Sequence, residues 1–280
     1  MNEPPYKKIA VASAFSPRFE QVLAEAKRVR DRFGSDLDLV YVGEKDEETT
    51  RRFAEALAAM ELPSDSLIHY HQGSPAEAIL EAVRVNCVEL IVAGALEKEV
   101  VLRPFLGNVA RRLVREAPCS VILFTRPERE PKPLRRFVFF VPEYSTHAQK
   151  ALQRTLCLAE KEGCENFYVI RVHTSFDAAR ATLRANLPEG AEKEEQPAAR
   201  TLQEEEDALE HFIGAAGHSA IPIEARCIRG NTGFVASDFV QAVEADLLVV
   251  PVEPNTESAE LPAHIAWVTE VIPCNLWIIR

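Results

Sequence analysis

The sequence predicts an α/β fold of two tandem, doubly wound units, each built on a parallel five-stranded sheet. Three observations carry this prediction. Short runs rich in Val, Ile and Leu alternate with segments of helical apolar spacing along nearly the whole chain, the pattern of a parallel sheet covered by helices on both faces. The second half repeats the order of the first. Between the halves lies RPEREPKPLRR, residues 126–136, whose prolines and charges favour an extended linker over a core element.

The elements follow in order. Lys8 to Ala14 is a β-branched apolar run, and Ser16-Pro17 reads as the cap of a helix reaching Phe33, with Val22, Leu23, Ala26 and Val29 on one face and Gly34 ending it. Leu37–Val42 is the second strand, Glu47–Met60 a helix, and Leu67–His71 the third strand; Ser74-Pro75 then opens a helix to about Asn86. Leu90–Ala93 is the fourth strand, Gly107-Asn108 starts a helix, and Ser120–Phe124 is the fifth strand. In the second half, strands are expected at Val138–Pro142, Phe167–Val172, Ile223–Arg229, Leu247–Val250 and Asn275–Ile279. Helices are expected at Ser145–Glu160, Thr201–Ala216, Thr232–Ala245 and Ala263–Val271.

The repeat is visible residue by residue. Gly73 pairs with Gly230, Val88-Glu89-Leu90-Ile91-Val92 with Ala245-Asp246-Leu247-Leu248-Val249, and Ala117-Pro118-Cys119-Ser120-Val121 with Ile272-Pro273-Cys274-Asn275-Leu276, so a tandem duplication is expected. The division is 1–127, a linker at 128–136, and 137–280. The segment from about 174 to 199 has no counterpart in the first half and reads as a solvated insertion.

Composition narrows the function. The net charge is -11 and no Lys/Arg run offsets it, which argues against nucleic-acid and anionic-membrane partners. No 18-residue apolar window and no apolar leader segment occurs, so a cytoplasmic protein without membrane association is expected. The six cysteines are dispersed and form no C-x-x-C pair, the usage of reduced, packed thiols. His69 and His71 share a strand face without a third ligand nearby and read as structural, so no metal is assigned. His264 reads as a capping or surface residue, and Gly230-Asn231-Thr232-Gly233 lacks both the dinucleotide and P-loop glycine patterns. No catalytic motif is present, and Trp267 and Trp277 read as packing residues of the second half.

The stretch from Val88 to Phe124 carries the strongest signal: a buried strand, a loop opening at Gly94, a helix at Gly107-Asn108, then Ala117-Pro118-Cys119-Ser120-Val121 leading into a strand. Loops of this kind, with the free N–H groups of the following helix, suit anions. The stretch resembles the closing segment of the universal stress protein family, whose phosphate loop runs Gly, two residues, Gly, nine residues, Gly, then Ser or Thr, before an Ala-Pro-Cys-Pro-Val strand. The resemblance extends over nearly all of both halves. It implies the adenine nucleotide alpha hydrolase-like fold with strand order 3-2-1-4-5 in each half. It also implies pairing of the halves through their fifth strands, as an intramolecular pseudo-dimer that could pair further as a homodimer.

In ATP-binding members of that family an Asp ends the first strand and meets adenine, a Val ends the second, and the glycine loop holds the phosphates. Carried over, the residual nucleotide site is Val42, Gly94, Gly107, Asn108 and Val109. Ala14 stands at the acid's position, Glu97 at the middle glycine and Asn108 at the hydroxyl residue. One like-charge contact at about 4 Å and an effective dielectric near 20 costs up to about 4 kcal/mol, roughly a thousandfold in affinity. In the second half the acid is read as Glu143, but Pro251 replaces the first glycine and the loop has none. The expectation is a non-enzymatic stress-response or regulatory protein that needs no cofactor and acts through an unidentified protein partner, both nucleotide sites being degenerate. The alternative is an ATP-binding, slowly hydrolysing member using the first-half site.

Overall fold

The computed structural model describes residues 4–95, 106–174, 200–230, 232–253, 261–262, 265–270, 272 and 274–280. Its strands are β1 (Lys8–Ser13), β2 (Asp36–Val42), β3 (Ile68–His71), β4 (Leu90–Gly94), β5 (Ser120–Phe124), β6 (Arg136–Phe140), β7 (Asn166–His173), β8 (Ile223–Arg229), β9 (Leu247–Pro251) and β10 (Asn275–Ile279). The helices are α1 (Phe19–Phe33), α2 (Glu47–Ala59), α3 (Pro75–Val85), α4 (Asn108–Glu116), α5 (Thr146–Glu162), α6 (Leu202–Ala215) and α7 (Thr232–Ala242).

All ten strands join one sheet in the order β3-β2-β1-β4-β5-β10-β9-β6-β7-β8. Every neighbouring pair is parallel except β5 with β10, where Leu123, Ile122 and Val121 lie opposite Leu276, Trp277 and Ile278. Within each half the order is that of a doubly wound 3-2-1-4-5 sheet. The antiparallel seam joins two parallel sheets edge to edge, which removes one open edge, β5 or β10, from each half.

Alternation along the strands explains the two cores. Ile9 and Val11 of β1, Leu90 and Val92 of β4, Phe137 and Phe139 of β6, and Trp277 and Ile279 of β10 all face one side, against α1, α2, α5 and α6. Ala10, Ile91, Val138 and Ile278, the residues in between, face the other side, against α3, α4 and α7. Each core crosses the seam without interruption, so burying a Leu, Ile or Phe there, at about 1.5–3 kcal/mol per side chain, stabilises both halves together. Trp277 is fully buried and touches Tyr6 and Phe33 from the other half, with ring centroids 6.2 Å and 5.8 Å away. Tyr6 in turn donates its hydroxyl to Ser120 at 3.0 Å. At the seam's end, Asn275 Oδ1 accepts from the Thr125 N–H at 2.9 Å.

Local signals set the helix ends. Asp46 and Thr49 form a reciprocal capping box on α2, as do Thr201 and Glu204 on α6. Ser145 accepts from Ala148 N–H at the start of α5. Gly34 and Gly163 end α1 and α5 in the left-handed conformation, with φ of 73° and 67°, where a side chain would be strained. Cys87 and Glu244, immediately before the Val88 and Ala245 segments of the repeat, also share left-handed φ values of 51° and 49°.

Several expectations need correction. The Ser16-Pro17 cap is displaced: Arg18 precedes α1, no side chain caps it, and Ser16 Oγ instead accepts from Arg18 N–H at 3.3 Å in a local turn. β6 begins at Arg136, a residue the sequence places in the linker. Ahead of β10, among the described residues, a 3₁₀ turn, Ala266–Thr269, stands where a longer helix is expected; Ala263, His264 and Val271 lie outside the described residues, as do Asn231 and residues 175–199. His69 is tied to the buried Asp38 carboxylate at 2.8 Å.

Candidate functional site

A cleft of about 310 Å³ opens at the carboxyl ends of β1, β2 and β4. β1 and β4 are adjacent, and the chain turns outward from them in opposite directions, so this is the switch point at which open α/β sheets leave a crevice. Its walls come from the end of β1, the start of α1, the starts of α3 and α4, and Pro127 just beyond β5. Of the residues carried over from the family pattern, Val42, Gly94, Gly107 and Val109 all line it. Asn108 does not; it is exposed on the first turn of α4. Glu97 and Glu99 lie outside the described residues.

Each position has a local cause. Gly94 ends β4 where a Cβ would stand 2.9 Å from Val22 Cγ2 of α1, so the close helix–strand approach favours a glycine there independently of any ligand. Gly107 precedes α4 in extended backbone, φ -62° and ψ 158°, and both it and Val109 of that helix's first turn line the cleft. Ala14 lines the cleft at the position read as the adenine-recognising acid, and contributes a methyl group only.

Sequence reasoning missed part of the wall. Ser13, Ser16 and Arg18 line the cleft, and Arg18 is the single charged side chain doing so among the described residues. The signal was present in Ser16-Pro17-Arg18, a polar break directly after a buried strand, but it reads equally as a helix cap. Pro127 was counted as the start of the connection between the halves, and its approach to the cleft follows only from the path of the chain after β5.

The second half is built differently at the corresponding place. Strand register fixes the correspondence: Ile9 lies opposite Leu90 in one half and Phe137 opposite Leu247 in the other. Counting along the strands, Gly94 corresponds to Pro251, but Ala14 corresponds to Pro142. Glu143 therefore stands one residue beyond the position read for the acid. The cleft here shrinks to about 80 Å³, with Pro142, Glu143, Pro251 and Glu253 among its lining. Ser145 Oγ donates to the Glu253 carboxylate at 2.5 Å, placing a carboxylate of the chain itself at the start of α5. Beside it, Arg171 donates to the carbonyls of Val141 and Pro142 and to Glu205 Oε1, the last at 2.8 Å. Tyr144 also donates to Glu205 Oε1, at 3.0 Å. Burial first, and the Glu205 charge second, push the Tyr144 hydroxyl well above its ordinary range, so it remains a donor.

Between the halves lies a buried ionic cluster. Glu162 accepts from Arg28 Nη1, Arg32 Nε and the Leu134 N–H, each at 2.9 Å, while Arg28 also holds Glu25. The Glu162 side chain is 1% exposed. Burial raises the Glu25 carboxyl above its usual value, and the Arg28 charge opposes that. Among the described residues no group of His, Cys, Asp and Glu has metal-holding geometry, and no helix is long and apolar enough to cross a membrane.

Comparison with known proteins bears on residues 5–125, which match the profile of the universal stress protein family. A universal stress protein encoded beside a QAH/OAS sulfhydrylase gene in Thermus aquaticus is 33% identical over 135 residues, covering 42% of this chain and 98% of that protein. Among solved structures, a putative universal stress protein from Pseudomonas aeruginosa superposes with a TM-score of 0.71 at 13% identity, covering 98% of this chain and 93% of the other. One from Archaeoglobus fulgidus gives 0.62 at 15% identity, covering 97% and 98%. These two likenesses establish the fold, a mostly parallel α/β sheet of the adenine nucleotide alpha hydrolase type. With a relative matched at a third identity along almost its full length, the chain belongs to the universal stress protein family.

Proposed function

We propose that this protein is a non-enzymatic regulatory module of the stress response, acting through contact with a protein partner, with nucleotide sites degenerate in both halves. Family membership supports the stress-response role. The observation that carries the rest is the second cleft, which is reduced to about 80 Å³ and includes Glu143, Pro251 and Glu253 in its lining. A nucleotide triphosphate placed there would meet carboxylates rather than backbone N–H groups, and proline offers no N–H. In the first half, Ala14 removes the acid expected to read adenine, and Glu97 adds a negative charge to the phosphate loop. The proposal includes two tandem units, 1–127 and 137–280, forming an intramolecular pseudo-dimer in the cytoplasm.

A second reading rests on a specific observation: Val42, Gly94, Gly107 and Val109 line one cleft of about 310 Å³, room for part of an adenine nucleotide. On that reading the protein binds ATP in its first half and hydrolyses it slowly. Titration of Mg-ATP into the parent protein and an Ala14→Asp/Glu97→Gly variant separates the two. Binding gained only by the variant supports degeneracy through these substitutions. Equal, micromolar binding by both supports the nucleotide reading.

A further inference from the structure

We propose that two copies of this chain associate through the free edge of β8, which pairs antiparallel with its own copy about a twofold axis at Ala225. The sheet order leaves few places for such a join. β5 and β10 are paired with each other inside the chain, so among the described residues the open edges are β3 and β8. β3 has 4 residues and β8 has 7. A long edge strand is a template for another strand, whereas a short one offers little to pair. The seam between β5 and β10 is already a join of this kind, two parallel sheets meeting antiparallel at an edge.

The backbone phase of the edge is fixed. Gly230 N–H donates to the His173 carbonyl at 3.2 Å, so residues of even number along β8 turn their backbone groups toward β7. Alternate residues do so in a parallel pair, and Ile223, Ala225 and Cys227 therefore turn their N–H and C=O to the open side. Side chains then choose the register. A twofold perpendicular to the sheet keeps every side chain on its own face, so the axis passes through a residue position. Glu224 and Arg226 share one face, with side chains 45% and 58% exposed, and Arg226 Nε donates to Glu224 Oε1 at 2.6 Å. An axis at Arg226 sets two guanidiniums opposite each other. An axis at Ala225 sets each Glu224 opposite Arg226 of the other copy, extending the pair within each strand into an alternating row of charges. Opposite charges directly across an antiparallel pair stabilise it, and like charges oppose it. The same register places Ala225 against Ala225 and Ile223 against Cys227, all with outward backbone groups, for about six inter-strand hydrogen bonds. The twofold is closed, so association stops at the dimer.

The test is sedimentation equilibrium of the full chain under reducing conditions, from about 1 μM to about 500 μM, a range that brackets a small interface. A monomer–dimer equilibrium is expected. Ala225→Pro removes the central outward N–H, at an edge position where proline spares the ladder to β7. It is expected to weaken the dimer at least about tenfold while thermal unfolding of dilute protein stays close to the parent's. Glu224→Arg is expected to weaken it comparably by setting guanidiniums opposite each other, and Glu224→Arg/Arg226→Glu is expected to restore it to within about threefold. The charge exchange reads the register even if Ala225→Pro fails to fold. The proposal is overturned if the chain stays monomeric at the highest concentration, if folded Ala225→Pro dimerises as the parent does, or if the exchanged pair fails to recover what Glu224→Arg loses. None of these residues lines either cleft, so the result is independent of nucleotide binding.

Discussion

Replacing Glu162 by alanine should lower the stability of the whole sheet, because this carboxylate closes the contact between α1 and the second half. Glu162 is 1% exposed and accepts three hydrogen bonds, from Arg28, Arg32 and the Leu134 backbone. Its removal leaves the Arg28 guanidinium, itself 10% exposed, with Glu25 as its remaining carboxylate partner. It also strands a buried N–H. Breaking a buried pair from one side costs about 3–5 kcal/mol, and the orphaned N–H accounts for about 1–3 kcal/mol of such a loss. With a urea slope of about 3 kcal/mol/M, the unfolding midpoint should fall by roughly 1–2 M. Glu162→Gln keeps an acceptor for Leu134 and should lose less. An Arg28→Met/Glu25→Gln/Glu162→Ala triple variant should be less destabilised than the sum of the singles, since the buried Arg28, Glu25 and Glu162 charges are removed together. Urea unfolding followed by fluorescence of the buried Trp277 reads the change. A loss under about 1 kcal/mol, the range of exposed pairs, would refute the reasoning.

Three further predictions concern titration, reactivity and packing. Burial raises the Glu25 carboxyl above its ordinary 4.5, with Arg28 opposing. The folded state thus binds this proton more tightly than the unfolded state, and the Glu25 contribution to stability is present below pH 4.5 and lost as pH rises through the folded value. Stability measured from pH 4 upward should therefore fall less steeply in Glu25→Gln than in the parent; an unchanged slope would contradict the assignment. Cys87 is exposed, whereas Cys119 and Cys274 are buried, the Cys119 thiol being pushed up to about 12 mainly by burial. A thiol reagent should modify Cys87 first, and Cys87→Ser should remove that fast phase. Gly94→Ala would set a methyl 2.9 Å from Val22 Cγ2. It should cost about 1–3 kcal/mol in thermal unfolding, a loss that Val22→Ala offsets in part.

Much of the fold was legible because burial on both faces imposes a readable period. The runs at Leu90, Ser120, Leu247 and Asn275 contain their strands almost to the residue. Gly34 and the Thr201–Glu204 box carry their own stop and start signals. What could not be read depends on pairing between distant residues. Glu162 and Arg28 are 134 positions apart, and nothing in either local sequence marks a partner. The shift of the acid position from Glu143 to Pro142 emerges only from register between β6 and β9. The 3₁₀ turn within the expected last helix had no punctuation to announce it. At the cleft, Gly94, Gly107 and Val42 were expected from family likeness and line it, while the place of Arg18 in its wall was hidden because a polar break after a strand reads as a helix cap. The pairing of left-handed Cys87 with left-handed Glu244 was also invisible, since neither residue type signals that conformation.

The central claim, that neither half retains a working nucleotide site, is tested most directly by calorimetric titration of Mg-ATP into the purified full chain, after its denatured supernatant has been assayed for co-purified nucleotide. The account predicts no released nucleotide and no binding heat at micromolar concentrations. Released adenine nucleotide, or a micromolar isotherm with one site per chain, would contradict it and restore the first-half cleft to the role that its glycines suggest.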